Sequence, residues 1–75
     1  MVEEEFDFLK NLFNENKLDS DLAFMVNKFF KLSTDEEYQN FINEYKLELK
    51  NIKAFNNLKD KIAYLLVEKY FEKKS

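Results

Sequence analysis

The chain contains no cysteine, histidine, glycine or proline, and its twelve basic residues are all lysine. Without cysteine, neither a disulfide nor a thiolate zinc site can stabilise the small core of 75 residues. Without glycine and proline, a sheet protein would lack its usual hairpin turns, and a glycine-rich phosphate-binding loop cannot form. These absences favour an all-α fold, a small bundle in a single helical domain over residues 1–75.

The missing side chains also limit the chemistry. Histidine, cysteine and arginine are among the groups that most often transfer protons, hold metals or attack substrates. The acidic residues that remain cluster at predicted helix starts, where they interact favourably with the helix dipole. The acidic segment 19–21 does not match a calcium loop, because Ala23 stands at the third ligand position and no glycine makes the turn. We therefore expect no enzyme, no cofactor, and no catalytic, cofactor-binding or metal-binding residues.

The charge balance is acidic, with a net charge of −3 and a pI near 4.9. Lys46, Lys50 and Lys53 form a basic ridge on the third predicted helix, and such a ridge is most often solvated helix surface. An acidic chain without arginine carries a poor electrostatic footprint for DNA or RNA. We expect nucleic acid not to be the principal partner, and a small nucleic-acid-binding regulator is the alternative function.

Long apolar segments are absent as well. No apolar run approaches the roughly 20 residues that cross a bilayer, and the first five residues lack the basic region and apolar core of a secretion signal. The sequence therefore predicts no membrane contact and a soluble, cytoplasmic protein.

Apolar residues nevertheless make up 45% of the chain, including nine phenylalanines and four tyrosines, so it should fold. Their spacing predicts four helices, at about 2–15, 20–32, 35–54 and 57–73. Several residues mark the helix boundaries: Asn14 or Asn16 ends the first helix, Asp19 or Ser20 caps the second, and Thr34 with Glu37, or Ser33 with Glu36, forms a capping box before the third.

The boundary between the third and fourth helices depends on helical phase. Apolar residues from Tyr38 to Ile52 form a narrow stripe along one face of a helix. From Leu58 onward, the stripe continues at a position rotated about the helix axis by roughly 120°, so a single face of one continuous helix cannot hold both segments. A turn at residues 55–57, with Asn56 or Asn57 as cap, resolves the mismatch. The alternative is three helices with one long C-terminal helix in a dimer.

The segment from Lys61 to Phe71 is the most apolar of the chain and has apolar residues on most of its helical circumference. Such a helix is either the centre of a bundle or a helix with a second partner. Phe24 is also misplaced for a simple core, because the residues one and two turns later are polar. We expect a non-catalytic protein-interaction module, a regulator or inhibitor that binds a protein partner of unknown identity and forms a homo-oligomer through the last helix. The expected partner-binding residues are Phe24, Lys28, Lys31, Tyr64, Val67 and Phe71.

Overall fold

The computed structural model describes residues 2–50, 52, 53 and 55–74, with the backbone alone for residues 2–4. These residues form four α-helices and contain no strand: α1 is Val2–Asn14, α2 is Ser20–Phe30, α3 is Asp35–Tyr45 and α4 is Leu58–Lys74. The predicted all-α bundle of four helices is confirmed.

All four helices contribute to one hydrophobic core. The largest fully buried side chains are Leu9, Val26, Phe29, Phe41, Ile62 and Leu66. The most extensive helix contact is between α1 and α4, the first and last helices in the sequence. The core therefore depends on contacts between the two ends of the described chain.

Phe29 lies at the centre of an aromatic cluster in this core. Its ring centroid is 5.9 Å from that of Phe6 on α1, and 6.1 Å and 6.3 Å from those of Phe41 and Tyr38 on α3. Its exposed fraction is 1%. The side chain thus contributes apolar contacts to two neighbouring helices at once.

The turn between α1 and α2 uses the polar residues that the sequence indicates. Asn16 adopts the left-handed conformation, with φ 58°, which asparagine tolerates better than most residues. Asp19 then caps α2, because its Oδ1 accepts a hydrogen bond from the Leu22 N–H at 2.8 Å. Asp19 Oδ2 also accepts a hydrogen bond from Lys73 Nζ at 2.9 Å, which connects the start of α2 to the end of α4.

A capping box starts α3. Thr34 Oγ1 accepts a hydrogen bond from the Glu37 N–H at 3.1 Å, and Glu37 Oε1 accepts one from the Thr34 N–H at 3.1 Å. The Ser33 N–H also donates to Glu37 Oε1, at 2.8 Å. The pairing of Thr34 with Glu37 is confirmed, whereas Ser33 supports this box instead of forming one with Glu36.

This capping box should make α3 sensitive to acid. Hydrogen bonds from the N–H groups of Ser33 and Thr34 lower the pKa of the Glu37 carboxyl, because they favour its ionised form. The stabilisation is therefore present above the unfolded pKa of glutamate, about 4.3, and is lost as pH falls through the lower folded value. Between neutral and acid pH, the urea midpoint of a Glu37→Gln variant should fall less steeply than that of the parent. Glu36→Gln, one residue earlier, is the matched control, and equal slopes for both variants would contradict the assignment.

The predicted end of α3 at residue 54 is wrong, because the helix ends at Tyr45. Lys46 adopts the left-handed conformation, with φ 53° and ψ 46°, and the Leu47 N–H donates to the Ile42 carbonyl oxygen at 3.0 Å. This hydrogen bond closes a Schellman motif, which satisfies a carbonyl of the last turn. Leu47, 8% exposed, is directed into the core. Its burial accompanies the left-handed residue that stops the helix.

The early end of α3 corrects two further expectations. The basic ridge of Lys46, Lys50 and Lys53 is not a helical face, because all three lysines follow the helix. The single long helix is also wrong, since residues 46–50, 52, 53 and 55–57 are non-helical. Asn57 caps α4 as predicted, with its Oδ1 accepting from the Asp60 N–H at 2.9 Å. Residues 51 and 54 of the predicted third helix lie outside the described residues.

Candidate protein-interaction surface

Helix α4 uses its apolar residues on two sides. One side packs into the core, where Ile62 and Leu66 are fully buried. On the other side Val67 is half-buried, and Phe71 is 53% exposed. The apolar surface of α4 is therefore larger than the intramolecular core covers.

A groove runs between α1 and α4 beside this second side. Its walls are Glu5 and Phe8 from α1 and Val67 and Phe71 from α4, and its volume is about 280 Å³. The rings of Phe8 and Phe71 are stacked, with centroids 5.8 Å apart and planes inclined by 16°. We call this feature the α1/α4 groove. It has three apolar walls and one acidic wall.

The spacing of the wall residues explains how the groove forms. Glu5 and Phe8 are three residues apart on α1, and Val67 and Phe71 are four residues apart on α4, so each pair lies on one face of its helix. The packing of α1 against α4 brings the two pairs together. Four residues from opposite ends of the sequence thus line one open groove.

The acidic wall has an unsatisfied oxygen. Glu5 Oε2 is shielded from solvent and has no hydrogen-bond partner among the described residues. Burial of a charged oxygen without a hydrogen bond is unfavourable, because its interaction with water is lost and not replaced.

The predicted site residues on α2 lie outside the groove. Phe24 is 66% exposed, as its polar neighbours indicated. Lys28 Nζ donates a hydrogen bond to Glu44 Oε1 on α3 at 2.6 Å, and this bond raises the pKa of the lysine. Lys31 is exposed immediately after the helix. Phe24 therefore offers apolar surface at a second place, whereas Lys28 already has an acidic partner.

Tyr64 shares the outer side of α4 but has an aromatic partner. It is half-buried, and its ring centroid lies 5.5 Å from that of Phe55, in the segment before α4. Part of its surface is therefore used within the chain.

Of the six predicted residues, the structure brings Val67 and Phe71 together in the groove, and Tyr64 precedes Val67 by one turn on the same helix. Sequence reasoning missed Glu5 and Phe8. Glu5 lies near the start of α1, where a carboxylate interacts favourably with the helix dipole, and Phe8 is one of several apolar residues of the same helix. A usable signal was present, because Glu5 precedes Phe8 by three residues and so lies beside the apolar face of α1.

Comparison of the chain with protein-family models, with curated proteins and with solved structures finds no match. Within the described residues, no helix combines the length and the apolar character that crossing a membrane requires.

Proposed function

We propose that this protein is a non-catalytic interaction module that regulates or inhibits a protein partner by binding it through the α1/α4 groove. The observation that carries the proposal is the apolar surface at the groove, where Phe71 is 53% exposed beside Phe8 and Val67. Large apolar side chains grouped at a concave surface are typical of protein-binding sites. We place this activity in the cytoplasm, where small folds without disulfides are usual.

Phe24 supports a second contact with the same partner. Its side chain is among the most exposed large apolar ones in the described residues. Aromatic residues are enriched in the energetically dominant parts of interfaces. Single exposed apolar residues are also common on free surfaces. We therefore base the proposed function on the groove and assign Phe24 only an additional contact with the partner.

The alternative function, nucleic-acid binding, has less support than the sequence alone gave it. Its main feature was the ridge of Lys46, Lys50 and Lys53, and these residues follow α3 instead of lining one face of it. Affinity for a nucleic-acid backbone depends on several cations placed together. That nucleic acid is not the principal partner, and that no cofactor is used, remain predictions.

Serine substitutions at Phe71 and Phe24 test the proposal. Phe24→Ser should change stability by under about 0.5 kcal/mol, as is usual for exposed positions. Phe71→Ser should cost about 1 kcal/mol, because about half of its side chain is covered. Both variants should remain folded by circular dichroism, and both should lose a partner that the immobilised parent captures from host lysate.

Gln39→Ser is the matched control for this capture, because Gln39 is exposed on α3 and lines no part of the groove. It should retain the partner. If Phe71→Ser captures the same protein as strongly as the parent and Gln39→Ser do, the groove is not the binding surface. A loss of several kcal/mol in Phe24→Ser would show that Phe24 belongs to the core.

A further inference from the structure

The outer side of α4 carries an apolar row that the core leaves partly exposed. Tyr64, Val67 and Phe71 are three and four residues apart, so they lie along one face of the helix. We call these three residues the apolar row. Val67 and Phe71 also line the α1/α4 groove, and Phe71 is 53% exposed. Burial of the apolar row against another chain would be favourable, because it removes apolar surface from water.

A charged row lies beside the apolar row. Lys61, Glu68 and Glu72 are seven and four residues apart, which places them along a second face of α4. At about 100° per residue, this face is turned by roughly 90° from the apolar row. Lys61 is half-buried, and both glutamates are exposed. The charged row is therefore positive near the start of the helix and negative in its second half.

The two lysines in the last turn of α4 are engaged on other sides of the helix. Lys73 Nζ donates a hydrogen bond to Asp19 Oδ2 at 2.9 Å, at the start of α2. Lys74 Nζ lies 5.6 Å from the ring centroid of Tyr70, which is buried in the core. These lysines therefore do not offset the glutamates of the charged row.

This order of charges is complementary to a reversed copy of itself. In a two-fold dimer with antiparallel α4 helices, each charged row faces the same row of the other copy in the opposite direction. If Tyr64 packs against Val67 of the second copy, Lys61 faces position 70 of that copy, midway between its Glu68 and Glu72. A parallel pair would instead place each charge beside the same charge of the copy, which is repulsive.

We propose that a second copy of this chain packs antiparallel along the outer side of α4 and covers the α1/α4 groove. Val67 and Phe71 would then contact the copy and could not contact a protein partner at the same time. This exclusion rests on the proposed function, and it makes the monomer the form that binds the partner. One helix from each copy gives a contact near or below about 1,200 Å², the lower limit of standard interfaces. The dimer should therefore form only at high protein concentration.

Reversed charges test the antiparallel contact on the full chain. Lys61→Glu makes the charged row wholly acidic, and the double variant Glu68→Lys with Glu72→Lys makes it wholly basic. Each variant should dimerise about tenfold more weakly than the parent, because attraction becomes repulsion at two symmetric places. An equimolar mixture of the two should restore the dimer, since an acidic row then faces a basic one. Sedimentation at high micromolar concentration measures dimerisation, and circular dichroism verifies that the variants are folded.

Lys31→Glu is the matched control, because it makes the same charge change at an exposed residue immediately after α2. It should alter dimerisation by less than about twofold, since separated surface charges are screened by salt. A zero-length carbodiimide cross-link locates the contact in the parent. In a mixture of isotope-labelled and unlabelled chains, mass spectrometry should find Lys61 of one chain joined to Glu68 or Glu72 of the other.

Capture on beads tests whether the copy covers the groove. Beads that carry Lys61→Glu should capture from host lysate the same protein as the immobilised parent. Beads that are first loaded with the wholly basic variant and then washed should capture this protein several-fold less, because the groove of each immobilised chain is covered.

Several results would overturn the inference. These are a parent that is monomeric at high micromolar concentration, equal dimerisation of the reversed-charge variants and Lys31→Glu, a mixture that forms no dimer, or loaded beads that capture as much as unloaded ones. In each case the proposed function stands if Phe71→Ser loses the partner. If Phe71→Ser captures the partner as strongly as the parent, the proposed function is wrong, and the exclusion of the partner by the copy is wrong with it. Sedimentation and the cross-link still decide whether the antiparallel dimer forms.

Discussion

Phe29→Ala should lower the free energy of unfolding by about 3–5 kcal/mol, the usual cost of removing a buried phenylalanine side chain. Phe29 is 1% exposed and contacts aromatic rings of α1 and α3, so its loss leaves a cavity that neither helix alone can fill. For a chain this short, the core is expected to supply only about 3–5 kcal/mol of net stability. The variant should therefore be largely unfolded or lose tens of degrees in melting temperature.

Phe24→Ala is the matched control, because it makes the same change on the same helix at a position that is 66% exposed. It should lower the free energy of unfolding by less than about 0.5 kcal/mol. Urea denaturation followed by circular dichroism measures both values. Similar losses in the two variants would mean that the assigned helical phase of α2 is wrong.

Val67→Glu should remove the binding capacity of the groove without unfolding the protein. Val67 is half-buried, so the new carboxylate can reach water, yet it replaces an apolar wall and adds negative charge near Glu5. We expect a folded protein of lower stability that no longer captures the partner that the immobilised parent takes from host lysate. Val26→Glu makes the same change at a residue with 0% exposure, and it should unfold the chain because a buried, unpaired carboxylate is far more costly.

The same variant tests whether the chain self-associates through α4, as its sequence predicts. A chain this short gains only about 3–5 kcal/mol from its own core, and packing the outer side of α4 against a copy would add to it. Sedimentation of the parent at high micromolar concentration should show a dimer, and Val67→Glu should be monomeric. A parent that stays monomeric at that concentration would refute self-association.

The helix starts could be predicted because their signals are local. Asp19, Thr34 and Asn57 each accept a hydrogen bond from the N–H group three residues further on, so the sequence order of polar and apolar residues is sufficient to find these helix starts. Asn16 could be predicted at the end of α1 for a similar reason, since few residues other than glycine tolerate the left-handed conformation.

The end of α3 could not be predicted in this way. Lysine is not a residue that indicates a left-handed turn, and the apolar stripe continues to Ile52 with helical spacing. Only the folded chain shows that Leu47, directly after the left-handed Lys46, is buried in the core. Burial of a leucine side chain contributes about 1.5–3 kcal/mol, which is enough to offset the roughly 1–2 kcal/mol cost of a left-handed residue. The burial of Leu47 in the core is a tertiary feature that local propensity does not contain.

The candidate site was predictable in part for a comparable reason. The surplus of apolar surface on α4 is a property of one helix, so the spacing of Val67 and Phe71 reveals it. The other wall of the groove depends on which helix lies beside α4. Glu5 and Phe8 each had an adequate local explanation, and their shared role appears only when α1 is placed against α4.

The pairing of α1 with α4 has a consequence for synthesis on the ribosome. Translation produces α1 first, but α4, the helix with which α1 makes its most extensive contact, is the last of the four to emerge. Until α4 leaves the exit tunnel, ordering α1 would cost chain entropy without the burial that offsets it, and the leucines of α1 that are buried in the folded protein, Leu9 and Leu12, would be exposed to water. The nascent chain should therefore remain largely unfolded and open to chaperones until α4 has been made, and it should then fold in a single cooperative step.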